Sequence, residues 1–218
     1  MTYDLIIFDY DGVVADSEVL NSTVMAEQLT AIGLPTTLEQ VLSAYTGKRW
    51  RDNRPVVEAA LGGACPEDFH TTWFATCRAR APQQLKPVPG VVDFLTARSE
   101  PRCIASSSGP DWIGVGLDLF GLSDHFHGAV FTGLAVERGK PHPDLFLHAA
   151  QSLGADPART LVIEDSEAGV TAGVAAGMTV VGLTAGGHVR DGHAERLIAR
   201  GAHHIADSYA AVGAFMAR

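Results

Sequence analysis

Nothing in this sequence is apolar over a stretch long enough to cross a membrane, and no segment is dense in lysine or arginine. The first absence argues against a membrane-spanning helix. The second, with a formal net charge of -9, argues against nucleic acid and anionic membrane surfaces as partners. Cysteine is scarce: Cys65, Cys77 and Cys103 make an odd number with no C-x-x-C pair. That usage fits a reduced, cytoplasmic protein better than a secreted one. No secretory leader pattern opens the chain, so cytoplasmic placement is the expectation. Internal repeats and low-complexity segments are also lacking. An acidic total still permits phosphate ligands, because the local field and any bound cation decide that, not the sum.

What is present is an ordinary globular composition, 46% hydrophobic over 218 residues. This length admits one large domain, or one domain carrying an insertion. The most informative segment is Asp9-Tyr10-Asp11-Gly12-Val13, which follows the apolar run Leu5-Ile6-Ile7-Phe8. The run is too short for a helix and rich in branched residues, so it predicts a buried strand. Two carboxylates two positions apart at its end share one side. Gly12 lets the backbone turn. Like charges held this close call for a cation, a shared proton or both, which suggests a hard metal ion and acid/base work.

From about residue 87 the pattern alternates. Strands are predicted at 102–105, 129–131, 160–163 and 179–183, with a short one near Ile205, and helices between and after them. Repeated strand–helix units imply a parallel sheet covered on both faces. Residues 17–86 differ. Val19, Leu20, Val24, Leu29 and Ile32 form one helical stripe; Leu38, Val41, Leu42 and Tyr45 form another; Pro66 opens a third through Phe69, Trp73 and Phe74. The expected fold is therefore α/β, a Rossmann-like parallel sheet core over 1–16 and 87–218 with an inserted helical domain over 17–86.

Four chemically loaded sites fall at strand ends, where an open parallel sheet forms its binding crevice. They are Asp9/Asp11, Ser106-Ser107-Ser108-Gly109, Lys140 within Gly139-Lys140-Pro141-His142, and Glu164-Asp165. Each alone also fits a plainer role. The serines suit a helix N-cap, Lys140 a surface lysine, and Glu164-Asp165 a helix N-terminus. Together they offer a nucleophile, an acid/base, an anion cradle, a cation and metal-binding acids.

The combination resembles the haloacid dehalogenase-type phosphohydrolase superfamily. Phe8-Asp9-Tyr10-Asp11-Gly12-Val13-Val14-Ala15-Asp16-Ser17-Glu18 resembles its first motif and Ile104-Ala105-Ser106-Ser107-Ser108 its second. Gly139-Lys140-Pro141-His142-Pro143-Asp144 resembles the third, and Val162-Ile163-Glu164-Asp165-Ser166-Glu167-Ala168-Gly169 the fourth. The insertion resembles the cap of the subgroup containing beta-phosphoglucomutase and several sugar-phosphate phosphatases. The resemblance implies a Mg²⁺-dependent phosphatase acting on a small phosphorylated metabolite, a sugar phosphate or sugar acid. Asp9 would attack phosphorus and form an aspartyl-phosphate, and Asp11 would serve as acid and then base. Asp9, Asp11 through its carbonyl, Asp165 and the supporting Glu164 would hold Mg²⁺. Ser106, Ser107 and Lys140 would bind the phosphoryl oxygens.

Dehalogenases of the superfamily lack the second aspartate of the first motif, so Asp11 favours phosphoryl chemistry. The mutase carries a histidine early in its cap where this chain has Asn21, which leaves a phosphohexose mutase as the alternative, and a non-catalytic phosphometabolite binder as a more distant one. In the insertion, Lys48, Arg49, Arg51 and Arg54 surround Trp50. They read first as a solvated helix face, and Arg49 is the candidate for contacting substrate; Arg78 and Arg80 are weaker candidates. Phe69, Trp73 and Phe74 read as core of the insertion. Among nine histidines, His125/His127 and His203/His204 lack a third ligand at useful spacing and read as structural, while His142 could line the site. A monomer is compatible with these features.

Overall fold

A computed structural model describes residues 3–46 and 50–218. The chain divides into two compact units, one made of the residues up to Asp16 together with Lys86–Arg218, the other of Ser17–Leu85.

The first unit is a six-stranded sheet, all parallel, in the order β3-β2-β1-β4-β5-β6. Its strands are β1 (Leu5–Phe8), β2 (Arg102–Ser106), β3 (Val130–Thr132), β4 (Thr160–Glu164), β5 (Thr179–Leu183) and β6 (His204–Ala206). Central β1 is fully buried, as continuous apolar runs in a parallel sheet require. Its Phe8 is in register with Ile104 of β2 and Ile163 of β4. The chain builds outward from β1 to β3 on one side, then from β4 to β6 on the other. This reversal of strand order opens a crevice beyond the carboxyl ends of β1 and β4. The α/β, Rossmann-like reading of the sequence holds for this unit.

The second unit is built from α1 (Glu18–Ala31), α2 (Leu38–Ala44), α3 (Trp50–Leu61) and α4 (Phe69–Gln84). Met25, Leu29, Val41, Val57 and Phe69 form its core. The third helical stripe begins later than Pro66 predicts. Pro66 lies in the connecting loop, its carbonyl accepts the Phe69 N–H, and the helix starts at Phe69. Trp73 Nε1 donates to the Asn21 carbonyl at 2.9 Å, joining α4 to α1. Phe69 is core, and Trp73 packs against it. Phe74 departs from the expectation: with His70, Thr71, Ala75 and Arg78 it lines a surface depression of about 490 Å³.

The helices of the sheet unit are α5 (Val91–Thr96), α6 (Pro110–Phe120), α7 (Ser123–Phe126), α8 (Asp144–Ser152), α9 (Glu167–Ala175), α10 (His193–Ala199) and α11 (Tyr209–Met216). Leu145, Phe146 and Ala149 of α8 and Val170 and Ala172 of α9 pack with Leu5, Ile7, Cys103 and Val162 of the strands. Ser166 caps α9 and Ser208 caps α11 through hydroxyls that accept backbone N–H groups. No described helix is long and apolar enough to cross a membrane.

Candidate active site

The site is built at the carboxyl ends of β1, β2 and β4. Asp9 still extends the ladder, its N–H donating to the Ile163 carbonyl at 3.0 Å. The chain then turns tightly: the Tyr10 carbonyl accepts the N–H groups of Val14 and Ala15 at 2.9 Å, and Gly12 donates to Ala15 at 2.7 Å. Gly12 has φ +74°, and a Cβ there would stand 1.7 Å from Asp165 Oδ2. Its small size therefore serves two ends, a left-handed turn and the close approach of a carboxylate from β4. Asp9, Asp11, Glu164 and Asp165 are all buried.

Lys140 joins two of these acids. Its Nζ lies 2.8 Å from Asp9 Oδ1 and 2.7 Å from Glu164 Oε1, with the lysine side chain 4% exposed. Burial alone would strip its charge, but the pull of Asp9 and Glu164 and the hydrogen bonds to both outweigh that and raise its pKa above the ordinary lysine value. The ammonium also sits 4.9 Å from the centre of the Phe146 ring. Glu164 is satisfied on both oxygens, since its Oε2 accepts the Ser166 N–H at 2.8 Å and hydroxyl at 3.0 Å. Gly169 makes room for it; a Cβ there would fall 1.5 Å from Glu164 Oε1.

Asp11 is held from β2 and α6. Ser108 Oγ donates to its Oδ2 at 2.5 Å, and Trp112 Nε1 donates to its Oδ1 at 3.0 Å. Ser106 is buried at the end of β2, and its hydroxyl accepts the Ser108 N–H at 3.2 Å. Ser107 follows it and is exposed.

Asp165 follows β4. Its Oδ2 lies 3.0 Å from His188 Nε2, and its carbonyl lies 2.7 Å from His193 Nε2. Burial, then the charges of Glu164 and Asp9, push the Asp165 carboxyl well above the usual carboxylate range; Lys140 opposes this and Asp11 adds to it. Burial and Asp9 likewise raise Glu164, against the pull of Lys140. Asp9, Glu164 and Asp165 present ligand atoms that all lie within 4.8 Å of one another. A dense set of buried carboxylates, balanced by one lysine and offering oxygen donors only, fits a hard cation. Such an arrangement can bind a metal, present a nucleophilic carboxylate beside a permanent positive charge, and offer a second carboxylate for proton transfer.

Sequence reasoning brings together Asp9, Asp11, Ser106, Lys140, Glu164 and Asp165; the structure places the acids and Ser106 at these strand ends, and Lys140 reaches Asp9 and Glu164 from the loop before α8. Lys48 and Arg49 lie outside the described residues. Arg51 is exposed, and Arg54 pairs with Glu58 at 2.8 Å within α3. Trp50 is not part of that solvated face, because it stacks on Phe69 with ring centres 4.9 Å apart. His142 is exposed. The His203 ring accepts the Val180 N–H at 3.0 Å, and His204 stacks on Phe215, both structural contacts. Ser108 was read only as part of the anion cradle, and its bond to Asp11 is a further role. Three participants were not singled out from sequence: Trp112, His188 and His193. Trp112 sits within a turn of the serine segment, so the helix start there offered a signal. His188 lies in an aperiodic loop and His193 opens the helix after it, both more than twenty residues beyond Asp165, and nothing local there points back to it.

Residues 3–177 match the family described as haloacid dehalogenase-like hydrolase. The chain is 28% identical to fructose-1-phosphate phosphatase YqaB of Escherichia coli (strain K12), over 82% of this chain and 95% of that protein. It is 24% identical to the 6-phosphogluconate phosphatase of the same organism, over 85% and 84% respectively. Among solved structures, a conserved haloacid dehalogenase-like protein of unknown function from Agrobacterium tumefaciens superposes with a TM-score of 0.86 at 33% identity, over 99% of this chain and 100% of that one. The carboxylate–lysine cluster sits at the reversal of a parallel sheet, and the sequence match runs through all four strand ends. The chain is a member of the haloacid dehalogenase-like hydrolase family.

Proposed function

We propose that this enzyme hydrolyses phosphate monoesters of small sugars or sugar acids, with Mg²⁺, by way of an aspartyl-phosphate on Asp9. The observation that carries the reading is the contact of buried Lys140 with both Asp9 and Glu164 at 2.8 and 2.7 Å, beside Asp165. Lys140 pairs with Asp9 and supplies a fixed positive charge where phosphoryl oxygens must sit. Asp9 attacks phosphorus; the ester P–O bond breaks, and Asp11 delivers a proton to the leaving oxygen. Asp11, now ionised, takes a proton from water as that water attacks phosphorus and releases phosphate and free Asp9. Ser108 and Trp112 hold the Asp11 carboxylate in its resting position through 2.5 and 3.0 Å bonds. Ser106 and Ser107 are proposed to bind the phosphoryl group. Asp9, Asp165 and the Asp11 carbonyl would hold Mg²⁺, with Glu164 in support. When bound, the ion offsets the repulsion between carboxylate nucleophile and phosphate dianion.

The substrate class is drawn from the relatives, which are named for fructose 1-phosphate and 6-phosphogluconate. In the proposed division, 1–16 and 87–218 carry the chemistry, while 17–86 acts as a helical cap that selects the substrate's non-phosphate end. Arg49 is its proposed contact. A phosphohexose mutase would need its aspartyl-phosphate shielded from water. Asn21 has neither a proton titrating near neutral pH nor the reach of an imidazole, so water is the expected acceptor.

Phosphate release from a panel of phosphorylated metabolites, followed beside NMR of beta-glucose 1-phosphate with a bisphosphate primer, tests the reading. Free phosphate from sugar phosphates supports it. Stoichiometric conversion to glucose 6-phosphate with little phosphate release would make the protein a mutase.

A further inference from the structure

We infer that His188 and His193 form a positioning pair that fixes Asp165 for the divalent cation, His188 through the carboxylate and His193 through the main chain. The inference rests on the metal-dependent reading of the site given above.

The hydrogen bonds fix the proton positions. A carboxylate that binds a cation is ionised and can only accept, so in that state His188 Nε2, 3.0 Å from Asp165 Oδ2, carries the proton it donates. The guanidinium of Arg196 can only donate, and its Nη2 lies 3.4 Å from His193 Nδ1. That nitrogen therefore accepts, and His193 Nε2 donates to the Asp165 carbonyl at 2.7 Å. The two rings pack edge to face with centres 5.5 Å apart. Asp165 Oδ2 is thus enclosed between His188 and Gly12, where a Cβ would come within 1.7 Å. In this inference its second oxygen, Oδ1, would be the ligand for the cation.

The segment that carries the histidines is tied down. Gly187 N–H donates to Asp16 Oδ1 at 2.9 Å, which fastens the loop to the residues that follow the first two aspartates. Arg190 Nη1 donates to the Gly187 and Val189 carbonyls at 2.9 and 3.0 Å. His193 opens α10, so a helix fixes its backbone. The clamp suits a crowded site, because Asp9, Glu164 and Asp165 present ligand atoms that all lie within 4.8 Å of one another. A hydrogen-bond donor on Oδ2 holds the Asp165 carboxylate in one orientation. Partners of metal-binding carboxylates of this kind change metal affinity about 10–100-fold when lost.

The test is calorimetric titration of Mg²⁺ into the chelator-stripped full chain, without substrate, for the wild type, His188→Ala, His188→Gln and His193→Ala. Glutamine can place an amide donor near the position of Nε2. The expected result is a dissociation constant raised about 10–100-fold in His188→Ala, largely restored in His188→Gln, and raised less in His193→Ala. In turnover, the loss falls on the Mg²⁺ concentration needed for half activity, and kcat recovers as Mg²⁺ is raised. A wild type that binds Mg²⁺ and releases phosphate, with a His188→Ala variant that binds Mg²⁺ equally well, would overturn the inference alone. Weakening that glutamine fails to rescue, at an unchanged melting temperature, would also overturn it. A wild type that binds no Mg²⁺ and hydrolyses no ester would overturn the reading of the site and this inference together.

Discussion

Gly12 and Asp165 lie so close that a single methyl group on Gly12 would come within 1.7 Å of the Asp165 carboxylate. The turn after β1 and the end of β4 are therefore packed against each other through a missing side chain. Gly12 also has φ +74°, a conformation that costs an ordinary residue about 1–2 kcal/mol. Gly12→Ala is expected to lower the melting temperature and weaken Mg²⁺ binding together, because strain and displacement of Asp165 have one origin. Thermal melts with and without Mg²⁺ check this; an alanine variant with unchanged Mg²⁺ affinity would contradict it.

Lys140 shares its charge between Asp9 and Glu164, and both partners are buried. Removing one member of a buried ion pair costs about 3–5 kcal/mol, because the remaining charge is stranded. Lys140→Ala should be destabilised by that order. Adding Glu164→Gln should recover part of the loss in urea denaturation, while catalysis stays absent. A double variant no more stable than Lys140→Ala would mean that the Glu164 charge is not what the lysine balances.

The raised pKa of Asp165 has a sign that can be measured in the metal-free protein. The folded chain keeps a proton on Asp165 at pH values where unfolded aspartates have lost theirs. The folded state binds more protons, so its stability is full below the ordinary aspartate range and falls as pH rises through the raised value. With chelator present, the melting temperature of the wild type should decline as pH rises above the ordinary aspartate range more steeply than that of Asp165→Asn. Mg²⁺ should oppose the decline, since binding requires the ionised carboxylate. Equal slopes in the two proteins would contradict the assignment.

Asp11 is expected to matter according to the leaving group. Asp11→Asn cannot protonate a departing alkoxide, whereas an aryl oxide leaves with little help. The variant should lose far more activity on sugar phosphates than on an activated aryl phosphate, measured as kcat/KM on both. An equal loss on the two would remove Asp11 from leaving-group protonation.

Much of this was legible in the sequence because the relevant signals are local. Leu5–Phe8, the run at 160–163 and the strand at 179–183 are short, branched and apolar, and each is bounded by turn or polar residues. Strand ends then announced their carboxylates and serines, and Lys140 stood out between glycine and proline. Long-range approach was not legible. Trp112 bonds to Asp11 across 101 positions. His188 reaches Asp165 from a loop without period or motif. Gly12 looked like a turn glycine, and only the packed structure adds the carboxylate beside it. Pro66 misled in a different way: proline suits a helix start, but here it lies within the loop before one, and α4 begins at Phe69.

The central claim is that this cluster cleaves phosphate esters through Asp9 with the help of Mg²⁺. The most direct measurement is the initial rate of phosphate release from the best ester of the panel, by wild type and Asp9→Asn, each with Mg²⁺ and after exhaustive chelation. Asparagine keeps the shape of Asp9 and removes its anionic nucleophile. The account predicts release by the wild type with Mg²⁺, loss of that release on chelation with return when Mg²⁺ is added back, and rates lower by several orders of magnitude for Asp9→Asn in either condition. Wild-type release that survives chelation in full, or an Asp9→Asn rate near that of the wild type, would contradict it.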